Sequence, residues 1–414
     1  MATSLRIDPG QRFSCAQCGR CCRRWEIVVT RAEADALNSR GAARWFRESP
    51  DGPEGTTRDP FEPIDRLPGF AHLRKRADGA CGFLSPANRC RIHEELGAAR
   101  KPLTCRVFPF SFHLTPSAAI VATSFGCPTV AANEGALLSA APAVAEIAAL
   151  REEWFATYRP AAQAATLVRG RPIDARSIHV LRTNLLHILN RVDTGGRDLR
   201  TNARRMAVLL EDLTRARVLR LADQDFAEYV SLTAPYAATV DNAVAPRAPS
   251  RIGRLLQRGF LFAAAAMRLR MENRGASAWR LRWLNTRLLA HFHGVGPGVG
   301  RINLARLRGA GLDVNAPSLQ TVIHHYLRAS IESMDAGDRP LIDTLAISAS
   351  ILNSACALAV MNAAGQAIDA AAFTQALVEA NDLAHAAPHS VLGELVARLA
   401  GGVEALYTLG NAGS

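Results

Sequence analysis

The sequence predicts an α+β protein in two parts: a small cysteine-rich domain over residues 1–130 and a larger, mainly α-helical domain over residues 131–414. Three observations carry this reading. Eight of the nine cysteines precede residue 128, and the ninth, Cys356, stands far downstream. Short extended runs broken by Pro- and Gly-rich turns fill the first part. From about Ala131 onward the pattern becomes helical.

In the first part, Trp25–Val29 reads as a short strand. Thr30-Arg31-Ala32-Glu33 has capping-box spacing and predicts a helix running to about Arg47. Residues 49–68, rich in Pro, Gly and charge, predict a loop. Asp78-Gly79 lies between His72–Arg76 and Cys81–Leu84 and predicts a hairpin turn. A second hairpin is expected to pair Val107–Leu114 with Ala118–Ser124 around Thr115-Pro116-Ser117. A domain this small has little core, so a metal staple would supply stability it otherwise lacks.

In the second part, helices are expected over Ala175–Val192, Leu199–Leu221, Ser250–Glu272, Ser277–His293, Ser318–Met334, Leu341–Ala364 and Asp369–Ala386. Ser250 supplies a start signal, and Gly275 and Gly294 supply stops. The run Thr344–Ile368 carries no charge and is about long enough to span a bilayer. Ser348, Ser350, Asn353, Ser354, Asn362 and Gln366 interrupt it, and neither aromatic anchors nor a basic cluster flank it. It therefore reads as a buried core helix, and no membrane span is expected. The glycine-rich run Gly294–Gly300 follows a helix rather than a strand and reads as a connector.

The net charge of +12 is concentrated in one place. Arg247 to Arg308 hold thirteen arginines and a single acid, Glu272, so the remainder balances. A local basic stretch implies an acidic partner. Arg251, Arg254 and Arg258 fall on one helical face, while Arg280, Arg282 and Arg287 accompany Trp279 and Trp283. Such a set suits nucleic acid or an acidic protein, and suits equally a solvated helix whose tryptophans enter the core.

The chemistry concentrates in the cysteines. Cys15-x2-Cys18-x2-Cys21-Cys22 opens the set, and Cys81, Cys90, Cys105 and Cys127 complete it. Two-residue gaps let successive thiolates converge on one centre, either zinc or an iron–sulfur cluster. Adjacent Cys21 and Cys22 do not both enter one small tetrahedral site readily. One of them then serves a second metal, binds a different iron of a cluster, or stays a thiol. Eight thiolates suit two four-cysteine sites, or one cluster (the 4Fe–4S type among iron forms) with spare thiols. His93, three residues after Cys90, is a further candidate ligand. The opening MATSLRIDPGQRF has no apolar run of signal-peptide length, which places the chain in the cytoplasm. Thiols there stay reduced, and close cysteines bind metal rather than form disulfides. His385 and His389 have helical spacing, but Pro388 separates them. The pattern singles out no catalytic or cofactor-binding residue.

Phe13-Ser14-Cys15-Ala16-Gln17-Cys18-Gly19-Arg20-Cys21-Cys22 resembles the opening motif of the YkgJ-type cysteine-cluster family of zinc- or iron-chelating domains. Cys81-Gly82-Phe83-Leu84, Cys90-Arg91-Ile92-His93 and Lys101-Pro102-Leu103-Thr104-Cys105-Arg106-Val107-Phe108-Pro109-Phe110 resemble its later elements, in order. Lys101 stands where that family usually has arginine. The resemblance covers roughly residues 13–128. Phe13-Ser14-Cys15 and Cys21-Cys22-x2-Trp25 are also similar to the N-terminus of the flagellin lysine N-methylase-like subgroup, which pairs such a domain with a long helical region. That resemblance implies methyl transfer from S-adenosylmethionine to lysines of a protein such as flagellin. The alternative, from another class, is a zinc-stabilised binding module engaging nucleic acid or an acidic protein through its basic helices; nucleic acid is not the favoured partner.

Overall fold

The structure is a computed structural model that describes residues 4–47, 59–76, 79–240, 277–292, 312–337, 339–363 and 366–386, together with Leu406 and Leu409. Along the chain, β1 (Leu5–Ile7) and β2 (Arg12–Phe13) precede α1 (Arg20–Arg24), β3 (Val28–Thr30), α2 (Arg31–Asn38) and α3 (Ala42–Arg47). Next come β4 (Phe61–Pro63), β5 (Phe70–Leu73), α4 (Arg91–Leu96), α5 (Leu103–Val107), β6 (Phe110–Leu114) and β7 (Ala119–Thr123). Then follow α6 (Pro128–Ala131), β8 (Ala136–Leu137), α7 (Ala141–Tyr158), α8 (Ala175–Asn190), α9 (Leu199–Leu213) and α10 (Asp223–Ala238). The described helices end with α11 (Ala278–Phe292), α12 (Pro317–Glu332), α13 (Leu341–Ala363) and α14 (Ala370–Ala386). The architecture is mixed α and β, with long helices and short sheets, in keeping with the expected class.

Two compact units form, each from separated stretches of chain. The cysteine unit comprises Pro9–Phe112 and Glu134–Pro160; the helical unit comprises Met1–Asp8, His113–Asn133 and Ala161–Ser414.

The cysteine unit is built on an antiparallel sheet of order β3-β5-β4. Val29 pairs with Ala71 and Phe61 with Leu73, and all four are buried. The capping box forms as its spacing dictates. The Thr30 hydroxyl accepts the Glu33 N–H at 3.1 Å, and a Glu33 carboxylate oxygen accepts the Thr30 N–H at 2.8 Å. The helix it opens is shorter than expected. It breaks at Gly41, whose φ of 99° only glycine adopts freely, and α3 restarts with Trp45 and Phe46 in the core. The loop expected over 49–68 also needs correction, because Phe61–Pro63 form β4. Phe61 is buried beside Phe83, and Pro63 lies on an edge strand, where a missing N–H is tolerated. Residues 48–58 lie outside the described residues. The hairpin expected around Asp78-Gly79 forms in short form: Lys75 bridges Cys81, the Arg76 N–H donates to the Ala80 carbonyl at 2.8 Å, and the Gly79 N–H donates to the Arg76 carbonyl at 2.9 Å; Asp78 itself lies outside the described residues.

The second hairpin forms with shorter strands, since Leu103–Val107 coil into α5 before β6 begins. In the helical unit, β1 runs parallel to β7, with Arg6 opposite Ile120. Asp174 caps α8 by accepting the Ser177 N–H at 2.8 Å, and Asp198 caps α9 through Arg200 and Thr201. α8 packs against α9, α10 and α12, and α12 packs against α13 and α14. The expected Leu199–Leu221 helix stops at Leu213, and Val218–Arg220 forms a separate 3-10 turn. α7 and α10 were not among the expected helices; α7 lacks a clear apolar stripe, and α10 contains Pro235. The helix expected over Ser250–Glu272 and the glycine run 294–300 lie outside the described residues.

By length and composition α13 is long and apolar enough to cross a membrane, yet 72% of its most apolar window is buried inside the fold. Its hydroxyls turn back on the helix: Ser348 donates to the Thr344 carbonyl at 3.0 Å and Ser354 to that of Ser350 at 2.8 Å. That pairing lets a serine-rich helix serve as the core element the sequence predicts.

Candidate metal centre

Cys21 and Cys22 sit on α1, which opens from Gly19 in the left-handed region. Their Sγ atoms are 3.9 Å apart. The Cys22 carbonyl accepts the Cys81 N–H at 2.7 Å, which ties α1 to the second cysteine segment. That segment then turns back on itself. Ser85 N–H donates to the Arg89 carbonyl at 2.8 Å and Leu84 bridges to Cys90, so Cys90 returns toward Cys81 at the start of α4.

Cys105 arrives on α5, a five-residue helix held by its neighbours. The Leu103 N–H donates to Glu33 Oε1 at 2.7 Å, and the Thr104 hydroxyl donates to the Val28 carbonyl. Arg106 pairs with Glu153 of α7, donating through one guanidinium nitrogen at 2.7 Å. Trp25, just after α1, meets Phe108, just after α5, edge to face at 4.5 Å. Cys81 belongs to the hydrophobic core of the unit, and Cys22, Cys90 and Cys105 pack against that core.

The thiols feel one another. A hydrogen bond with Cys22, followed by burial, drives the Cys21 thiol far above the usual range. Burial pushes Cys81 up to about 12 and raises Cys105 well above its ordinary value. Charge on Cys21 and Cys90 would raise both of these further, as charge on Cys81 would raise Cys105. Lys101 opposes the rise at Cys21 and Cys105, and Lys75 opposes it at Cys81. At neutral pH these three thiols are therefore protonated, and an incoming thiophilic ion displaces protons as it binds.

Five of the eight sequence-predicted ligands thus gather from three separated segments: Cys21, Cys22, Cys81, Cys90 and Cys105. Cys15 and Cys18 lie exposed on the approach to α1. Cys127 is buried at the start of α6, within the helical unit. His93 is half-buried on α4. No disulfide joins any of the nine cysteines. Among the described residues, no three His, Cys, Asp or Glu side chains are arranged to hold a metal ion as they stand. The thiols are gathered but not closed into a coordination shell. The donor chemistry fits zinc or iron, since soft sulfur ligands select those ions over hard ones such as magnesium or calcium.

Sequence reasoning missed three supporting residues. Glu33 read only as half of a cap, yet its second oxygen anchors the helix that carries Cys105. Lys101 read as a departure from a motif, and Lys75 carried no signal, although both place positive charge near the thiols.

Residues 14–128 match the family model CxxCxxCC, described as "Putative zinc- or iron-chelating domain". The match agrees with the motif-level resemblance and contains all eight cysteines of the set. No curated protein and no solved structure matches the chain.

Proposed function

We propose that this chain is a metal-holding cysteine-cluster protein in which Cys21, Cys22, Cys81, Cys90 and Cys105 supply the thiolates, with Cys15 and Cys18 entering from the α1 approach. The observation that carries the reading is the gathering of thiols from three separated segments: Cys22, Cys81, Cys90 and Cys105 in or against one core, with Cys21 Sγ 3.9 Å from that of Cys22. A bound ion would cross-link α1, the Cys81–Cys90 turn and α5, supplying stability that the small core lacks. Lys75 and Lys101 offset part of the negative charge that deprotonated thiols would bring together. Cys127 completes the set of eight in the broader reading of two sites, or of one cluster with spare thiols.

At a finer level, we carry the lysine N-methylase reading, with a 4Fe–4S cluster and S-adenosylmethionine, on the likeness of Phe13–Trp25 to that subgroup. Tritium transfer from labelled S-adenosylmethionine to flagellin checks it.

The metal reading is tested by metal and acid-labile sulfide content of the full chain purified without oxygen. Stoichiometric zinc, or iron with sulfide, is expected. Cys81→Ser and Cys105→Ser should each weaken retention at least ~100-fold, because losing a ligand exceeds the second-shell penalty. Cys356→Ala, in α13, should leave it unchanged. Titration with zinc should release protons, so affinity climbs as pH rises. A folded chain that holds neither metal sinks the proposal.

A further inference from the structure

α11 lies outside the cysteine unit and presents an outward face that combines exposed indoles with arginines. Leu288 is fully buried and Leu284 half-buried, which fixes the side turned toward the protein. On the other side Trp279 is 74% exposed and Trp283 46% exposed, one turn apart. Arg280 and Arg282 are exposed beside them, and the Arg287 guanidinium lies 4.8 Å from the Trp283 ring centroid. No acid occurs in this helix, and the surrounding stretch from Arg247 to Arg308 carries thirteen arginines against one glutamate. The reading that places these tryptophans in the core is thereby corrected.

Two solvent-facing indoles are costly to leave bare, and arginine charge without carboxylates seeks an anionic surface. An indole is favoured at a membrane–water interface because its ring is apolar and its N–H finds water or headgroups. Interfacial helices combine these two elements, aromatic residues for insertion and arginines for anionic headgroups. A nucleic-acid duplex would use the arginines but gain little from paired indoles. A single strand would stack on them, yet Arg287 already lies over Trp283. At a lipid surface that cation–π pair can stay intact while the guanidinium reaches a phosphate.

We propose that α11 is a peripheral membrane-binding helix that docks Trp279 and Trp283, flanked by Arg280, Arg282 and Arg287, on an anionic lipid surface. This attachment is independent of the metal centre and involves no membrane span.

The test is co-sedimentation of the full chain with vesicles of phosphatidylcholine alone, and with vesicles in which roughly one-third is phosphatidylserine. Binding is expected to the second kind only, and to fall steeply with added salt. The double variant Trp279→Ala/Trp283→Ala should bind at least ~10-fold more weakly. Each of Arg280→Gln, Arg282→Gln and Arg287→Gln should cost about fivefold. Both indoles are exposed, so circular dichroism and the unfolding midpoint should be unchanged in the double variant. As a check needing no variant, brominated phosphatidylserine should quench part of the wild-type tryptophan emission. Absence of binding, equal binding to neutral vesicles, or full binding by the double variant overturns the proposal. Tight binding of a single-stranded oligonucleotide that the double variant loses, without vesicle binding, overturns it in favour of a nucleic-acid surface.

Discussion

At Gly82, one residue beyond Cys81, an added Cβ would lie 2.0 Å from Cε2 of Phe46. Phe46 is itself pinned, 4% exposed and tilted against Phe83 at 6.0 Å. The ring cannot withdraw without disturbing the core that supports Cys81. Gly82→Ala is therefore expected to destabilise the chain by about 1–3 kcal/mol, the usual cost of overpacking. A lowered urea midpoint with an unchanged m-value would register it. The C-x-F-L element singles out Cys81, Phe83 and Leu84 by type, but the need for glycine between them comes from a ring contributed by a helix distant in sequence.

Glu33 shows how a local signal acquires a remote role. Its position three residues after Thr30 specifies the start of α2, and that much is written in four consecutive residues. The same carboxylate also accepts the Leu103 N–H at the start of α5, seventy positions away. Glu33→Ala should cost about 2–3 kcal/mol, combining a lost cap with an orphaned helix N–H. Thr30→Ala should cost about 1 kcal/mol, because it removes the cap and the hydroxyl's hydrogen bond to Glu33 Oε2 but leaves Oε1 accepting the Leu103 N–H. The distinguishing measurement is metal retention. Glu33→Ala should loosen the metal through Cys105, whereas Thr30→Ala should not; equal effects would deny Glu33 its anchoring role.

At the scale of the whole fold, buried charge in the helical unit bears on the response to acid. In the helical unit, Asp335 pairs with both Arg6 and Arg182, the latter at 3.1 Å, and Arg328 pairs with Asp8 at 2.6 Å. His324 lies near this group, its Nε2 2.8 Å from the Asn190 side-chain oxygen. Burial, reinforced by the charges of Arg197 and Arg328, pulls His324 down to about 4. Burial likewise lowers His325, whose Nε2 lies 3.2 Å from the Val130 carbonyl. A depressed histidine contributes stability above its unfolded value near 6.5 and loses it as pH falls toward 4, because the unfolded chain then binds protons the folded one refuses. Burial raises Glu332, which works in the opposite direction. Comparing His324→Gln with the parent chain isolates the histidine: the variant should lose less stability between pH 6.5 and 4. Parallel losses would remove His324 from the acid response.

The sequence by itself determined the α+β class, the cysteine set with its family likeness, the capping box at Thr30 and most of the long helices. Each is a local property, fixed by spacing over a few residues or by a repeating apolar pattern. Tertiary structure decided which thiols meet, because Cys22 finds Cys81 and Glu33 finds Leu103 only after chain closure. It likewise decided that Phe61–Pro63 become a strand rather than loop, since β5 offers them a free edge. The exposure of Trp279 and Trp283 was decided there too. Helical spacing puts two tryptophans on one face, but only packing at Leu288 determines that this face looks outward.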